Sequence, residues 1–305
     1  MSIMWFIYAI LTTLIWGLAE LFYKKAADPS ESYTHLKTCI WVGAVMGLHA
    51  CYILATQDIN YQAINLIKYL PVSAFYIVSM TCAFFGVRYI EVSLASPIEN
   101  TSGALCTLMC VLILGQIIEL PSVVAILAIV CGILGIGYLE NKNTQRKQQI
   151  GKTLAVIGFA MPFIYAILDA CGTFLDVYYL DIATSPLIGI TEDNIEDIAN
   201  TSYELTFCLC AVILYIYLKC KNVQFQLPQQ KDKILAAVCE TAGQFTYVYA
   251  MSGNGAIAAP IISSVCVVPL VLSKIFLKEK LTLLQYFYIS LIVIGIVVLA
   301  ILEGD

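Results

Sequence analysis

Four acids lie inside apolar stretches where a bilayer would exclude them: Glu20, Glu99, Asp169 and Glu240. An ionisable group within a span costs at least about 2.5–3.5 kcal/mol on insertion scales, so each calls for a partner or a task. Carboxylates in that setting accept protons or the positive group of a solute. Asn100 adjoins Glu99, and Gln244 stands one helical turn after Glu240. Trp16, Tyr76, Tyr165, Tyr247 and Tyr249 fall near the same positions, and a cation held over an aromatic face gains about 0.5–2 kcal/mol. Amines suit the acids and rings together. Structural roles compete: Glu20 and Asp169 read as solvated helix ends, Glu99 and Glu240 as protonated carboxyls bonded to a neighbouring helix, and the tyrosines as interface anchors. Arg88 and Glu91, three apart, read as an interfacial ion pair, and Lys274 as a snorkelling base.

Other chemistries are missing. Eleven of the twelve cysteines fall in apolar runs and the last ends one, with no Cys-x-x-Cys pair, so they read as small buried hydrophobes. No phosphate-binding Gly-rich loop with Lys, His-Glu-x-x-His or Gly-x-Ser-x-Gly motif occurs. No catalytic residues, cofactor or metal are expected. The net charge of −5 removes nucleic acid as a partner.

The elements that must hold these residues are membrane helices. The chain of 305 residues is 60% hydrophobic and 12% charged, where an ordinary soluble domain carries about 25% charge. Apolar runs of about 20 residues, the length needed to cross the hydrocarbon core, occur at 3–22, 38–55, 69–87, 92–114, 122–139, 154–173, 199–218, 234–251, 256–277 and 283–302. The expected fold is an all-α integral membrane protein of ten transmembrane helices. On these spans Glu99 and Glu240 lie about 10 Å inside one end. Glu20 falls near that end of its span, and Asp169 near the opposite end of its own. Gly43 and Gly47 form a small-x-x-x-small stripe that serves either a contact within the chain or a homodimer.

Fifteen of the sixteen Lys and Arg residues fall on one side of that arrangement; Lys68 is the exception. Basic loops stay cytoplasmic, so both termini face out, in a plasma membrane taken as bacterial. The stretch between the sixth and seventh spans, with Asp176, Asp181, Glu192, Asp193, Glu196, Asp197 and Glu204 and no base, fits the outer side.

A shift of 163 residues superimposes the fourth and fifth spans on the ninth and tenth without gaps. Pro97, Ile129, Gly132 and Glu140 fall on Pro260, Ile292, Gly295 and Glu303. The first span echoes the sixth, setting Trp16 against Tyr165 and Glu20 against Asp169. Repeats of five helices must be inverted, because five is odd. The expected organisation is an inverted 5+5 repeat, with halves at 1–145 and 146–305. Secondary transporters are commonly built this way, with a midplane site between the halves.

The Trp16-Gly17 pair, the Ala-x-Pro-Ile openings at Ala95 and Ala258, and the run Phe276-Leu277-Lys278-Glu279-Lys280-Leu281-Thr282, together with the 5+5 arrangement, make the chain resemble the drug/metabolite transporter superfamily in its EamA-like branch. The resemblance implies a small-molecule exporter or exchanger working by alternating access along one path, its partners a small solute and membrane lipid. A membrane protein that handles lipid or senses a ligand without moving a solute is the competing reading.

Overall fold

The structure, a computed structural model, describes residues 4–26, 31–86, 95, 98–143, 152–225, 230–269, 271–272 and 282–302. Arg88, Glu91, Pro97, Lys274 and Lys278-Glu279-Lys280 lie outside the described residues. The described elements are helices: α1 (Met4–Ala26), α2 (Thr34–Thr56), a short α3 (Ile64–Lys68), α4 (Leu70–Gly86), α5 (Ser102–Ile113), α6 (Leu120–Asn143), α7 (Lys152–Tyr179), α8 (Ile195–Cys220), α9 (Lys231–Ile262) and α10 (Leu283–Leu302). Six of them are long and apolar enough to cross a membrane, the last of the six running from Lys231 through Pro269. Leu70–Gly86, Ser102–Ile113 and Leu283–Leu299 are shorter apolar helices. Lipid leaves a backbone no partner but itself, which is why apolar runs of this length fold as helices.

α9 is two limbs. Asn254 leaves helical geometry at φ −159° and ψ 74°, inside Ser252-Gly253-Asn254-Gly255, a breaker cluster. Contacts with α1 give the limbs' directions. Trp5 lies against Gly253, Thr12 bonds Thr246 at 2.8 Å, and Trp16 donates to the Glu240 carbonyl at 3.2 Å, so the first limb runs antiparallel to α1. Thr13 approaches the Ile261 carbonyl and Gly17 lies against Val268, so the second limb runs parallel. The chain reverses at Asn254.

The packing crosses between the two halves of the sequence. α1 packs chiefly on α9 and α2 on α8, α4 and α5 lie against α7, and α6 pairs with α10. At that last pairing a Cβ on Gly132 would strike Ile292 and the Tyr288 carbonyl, and one on Gly295 would strike Ile129 and the Ala125 carbonyl. Residues 132 and 295, 129 and 292, and 125 and 288 are each separated by the same 163-residue shift, which therefore exchanges the two contacts. Gly43 and Gly47 seat α2 on α8: Gly43 meets the Phe207 carbonyl and Ala211, and Gly47 meets Cys208. The stripe thereby makes a contact within the chain.

At the Lys-rich end a buried ion cluster ties the α1–α2 connection to α9. Glu31 accepts from Lys37 at 2.7 Å and Lys233 at 2.6 Å, and from Gln230 at 3.1 Å. Lys233 is 1% exposed and Lys37 3%. Burial works against ionisation of Glu31, yet the hydrogen bonds from Lys233, Lys37 and Gln230 hold its carboxyl down to about 2.

Candidate functional site

The four acids expected from the sequence converge. Glu20 on α1 and Asp169 on α7 both lie within electrostatic range of Glu99, beside the start of α5. Asp169 is likewise within range of Glu240 on the first limb of α9. All four remain half-buried although they sit among packed helices. No three of the described His, Cys, Asp and Glu side chains converge closely enough to hold a metal ion. Asp169 bonds Ser102 and Tyr165, and Tyr23 donates to Glu240 at 3.1 Å. One oxygen of Glu99 is buried with no hydrogen-bond partner among the described residues. An orphaned buried acceptor of this kind is uncommon and calls for an explanation.

Asp169 corrects the sequence reading. The sixth span was expected to end near residue 173, which put Asp169 at the opposite side from the other acids. α7 instead runs on to Tyr179, so Asp169 lies about 15 Å from its end at 1.5 Å per residue and joins the other three. Its continuation carries Asp176, placed by the sequence reading in an outer loop, into the packed interior at 0% exposure. Glu204, counted with the outer acids although it falls inside the 199–218 run, likewise lies within α8 at 0% exposure, facing His49 of α2 at 2.8 Å.

The predicted aromatics divide between two layers. Trp16 flanks the acids: its indole donates to the Glu240 backbone, stacks on Tyr247 at 5.2 Å and lies where a Cβ at Gly243 would be. Only glycine at 243 lets the indole approach so closely. Tyr165 stays with Asp169. Tyr76 and Tyr247 belong to the next layer, around Asp176. There Tyr69 donates to Oδ1 of Asp176 and Tyr76 donates to Oδ2 at 2.9 Å. Tyr247 reaches the same carboxylate, and its hydroxyl lies 2.6 Å from that of Tyr76. Thr173 is 3.0 Å from the Tyr76 hydroxyl. Gln244 is buried between the layers, its Nε2 without a partner among the described residues. Asn100 stays beside Glu99 at the turn into α5 and is also half-buried. Tyr249 faces elsewhere, donating to Asp197 at 3.0 Å.

Sequence reasoning missed Asp176, Tyr69, Tyr23, Ser102 and the His49–Glu204 pair. Two signals existed. Asp176 follows Asp169 by seven residues, two turns on the same helix face, and Glu204 follows Asn200 by four, with Asn200 donating to Glu204 at 3.1 Å.

Known proteins supply the remaining context. The model of the EamA-like transporter family matches residues 3–138 and 183–301. No curated protein matches the chain. One solved structure, described only as the crystal structure of a protein, is similar at a TM-score of 0.72 and 12% identity, covering 98% of this chain and 96% of its own. At that identity the likeness shows the fold alone.

Proposed function

The chain belongs to the EamA-like transporter family, and we propose that it is a secondary carrier of small amine-bearing metabolites or drug-like molecules, working by alternating access. The observation that carries this reading is the convergence of Glu20, Glu99, Asp169 and Glu240 with the unpartnered buried oxygen of Glu99. Four carboxylates in a low-dielectric interior need cations or protons to balance them. Trp16, Tyr23 and Tyr165 border the cluster with rings and hydroxyls that suit an ammonium group. Exchange between that group and protons at the same carboxylates would couple substrate movement to the proton gradient.

The mechanism uses ten membrane-crossing helices as two inverted halves, 1–145 and 146–305. The reversal at Asn254 supports this by dividing α9 into two crossings. The paired Gly132–Ile292 and Gly295–Ile129 contacts are those expected about a pseudo-two-fold axis between α6 and α10. The charge bias makes the Lys-rich end cytoplasmic and sets both termini outside a plasma membrane. Loading from the cytoplasmic side then makes the carrier an exporter or exchanger.

The test is binding and counterflow with purified protein. Phenethylamine, neutral amino acids, sugars and nucleotide metabolites are screened by thermal shift at pH 6 and pH 8, since a ligand binding only the folded state raises its apparent stability. Stabilisation by phenethylamine at pH 8, lost in Glu99→Gln, together with flux abolished in Glu99→Gln or Glu240→Gln liposomes, is expected. Flux unchanged in both variants overturns the coupling role. Stabilisation by lipid alone moves the reading to a lipid-handling protein.

A further inference from the structure

The path beyond the four acids has an internal order that repeats on three helices. Counting seven residues on from Asp169, Glu240 and Glu99 gives Asp176, Tyr247 and Cys106, a layer about 10.5 Å further along at 1.5 Å per residue. Cys106 is within electrostatic range of both Asp176 and Tyr247, so the three meet. Val177 on α7 and Met251 on α9, with Asp181 just past α7 and Leu114 just past α5, line an outer cavity of about 920 Å³. Glu119 and Glu192 also line that cavity, and among the described residues no Lys or Arg does. Between acid cluster and outer cavity stands one sealed layer, in which Asp176 and Cys106 are both 0% exposed.

The carboxylate in that layer is unusual in its partners. Tyr69 and Tyr76 on α4 and Tyr247 on α9 bond it, Asp169 on α7 and Tyr203 on α8 lie within electrostatic range, and Cys106 faces it from α5. No base among the described residues forms an ion pair with it. Phenol oxygens, aromatic rings and an anion with no resident cation are the chemistry that receives an ammonium group.

We propose that Asp176, ringed by Tyr69, Tyr76 and Tyr247, is a second carboxylate station for the ammonium group of the substrate, closed here by its phenols and standing between the four-acid cluster and the outer cavity. The station rests on the amine reading above. An arriving ammonium displaces phenol hydroxyls from Asp176, and the bonds linking α4, α7 and α9 in this layer part as it does. Occupancy of the station and opening of the outer side are then one event.

The test uses the full chain, as wild type, Asp176→Asn and the milder Tyr69→Phe, with two readouts. The first is phenethylamine: equilibrium binding in detergent and counterflow in liposomes. Asp176→Asn is expected to bind within twofold of wild type while losing at least tenfold in counterflow, with Tyr69→Phe intermediate. Unchanged counterflow in Asp176→Asn overturns the proposal, and so does equal loss of binding and counterflow in both variants, which makes Asp176 part of the first site. The second readout needs no substrate: N-ethylmaleimide modification of Cys106, followed by peptide mass spectrometry, with exposed Cys220 at the end of α8 as the internal reference. Modification at least fivefold faster in both variants supports the seal, and wild-type rates in both overturn it. If wild type neither binds nor carries phenethylamine, the amine reading falls, and the Cys106 rates alone decide whether Asp176 closes the path.

Discussion

Removing one charge from the Glu31 cluster tests how the Lys-rich end is held together. Glu31→Gln keeps size and hydrogen-bonding capacity but strands two ammonium groups, Lys37 at 3% and Lys233 at 1% exposure. Breaking a buried ion pair from one side costs about 3–5 kcal/mol, because the remaining charge is left unbalanced. At roughly 2–4 °C per kcal/mol for a chain of 150–250 residues, that is a fall on the order of 6–20 °C in unfolding midpoint, toward the lower end for a chain of 305 residues. The assay is thermal unfolding in detergent followed by a thiol-reactive dye, which reports exposure of buried Cys106 and Cys110. Acid supplies an independent check. The Glu31 carboxyl is held at about 2 in the folded chain against an ordinary 4.5, so its stabilisation is complete above 4.5 and drains away as the pH falls toward 2. Glu31→Gln lacks that component, and its midpoint falls less steeply across the same window. Lys233→Met should cost less in the Glu31→Gln background than in wild type, as coupled partners do. A Glu31→Gln midpoint within 2 °C of wild type at pH 7, with an unaltered acid slope, would refute the reasoning.

Other outcomes follow from the packing. His49→Ala leaves the fully buried Glu204 with Asn200 but without its His49 partner and should destabilise by about 1–3 kcal/mol in the same unfolding assay; the double variant His49→Gln/Glu204→Gln should be milder. Gly295→Ala should cost about 1–3 kcal/mol by overpacking against Ile129 and the Ala125 carbonyl, with only part of it recovered on adding Ile129→Ala. Gly132→Ala with Ile292→Ala should mirror it, and a marked asymmetry between the pairs would count against the pseudo-two-fold axis. Gly243→Ala should push the Trp16 indole off Tyr247 and raise the dissociation constant for phenethylamine severalfold at unchanged expression.

The residues that announced themselves in the sequence were those whose surroundings conflict with their chemistry. Glu99 and Glu240 stand in apolar runs on any division of the chain, which is what made them candidates. Asp176 and Glu204 did not, because they sit close to genuine loop acids such as Asp181 and Glu192. Charge density drew the boundary before Asp176 and grouped Glu204 with the outer acids. What carries α7 past residue 173 is a set of phenol donors on α4 and α9, distant in sequence and indistinguishable there from the other tyrosines. Gly43 and Gly47 were legible as a close contact, but a stripe of small residues does not name its partner; only the placement of α8 does. The 163-residue shift was readable as a coincidence of Pro, Gly and Glu, whereas the exchanged glycine contacts required coordinates.

The pairing of α1 with α9 bears on how the chain is made. α1 leaves the ribosome before the other described helices, yet its main packing surface comes from residues 231–262. At roughly 5–20 residues per second of synthesis, α1 waits on the order of 10–45 s before that partner exists. During that interval Thr12, Thr13 and Trp16 lack their α9 partners, and a nascent chain released early would hold a polar face toward lipid. Truncations ending before α9 should therefore be degraded or retained by the insertion machinery. Slowing translation upstream of residue 231 should lower the yield of assembled protein more than slowing it downstream of residue 262.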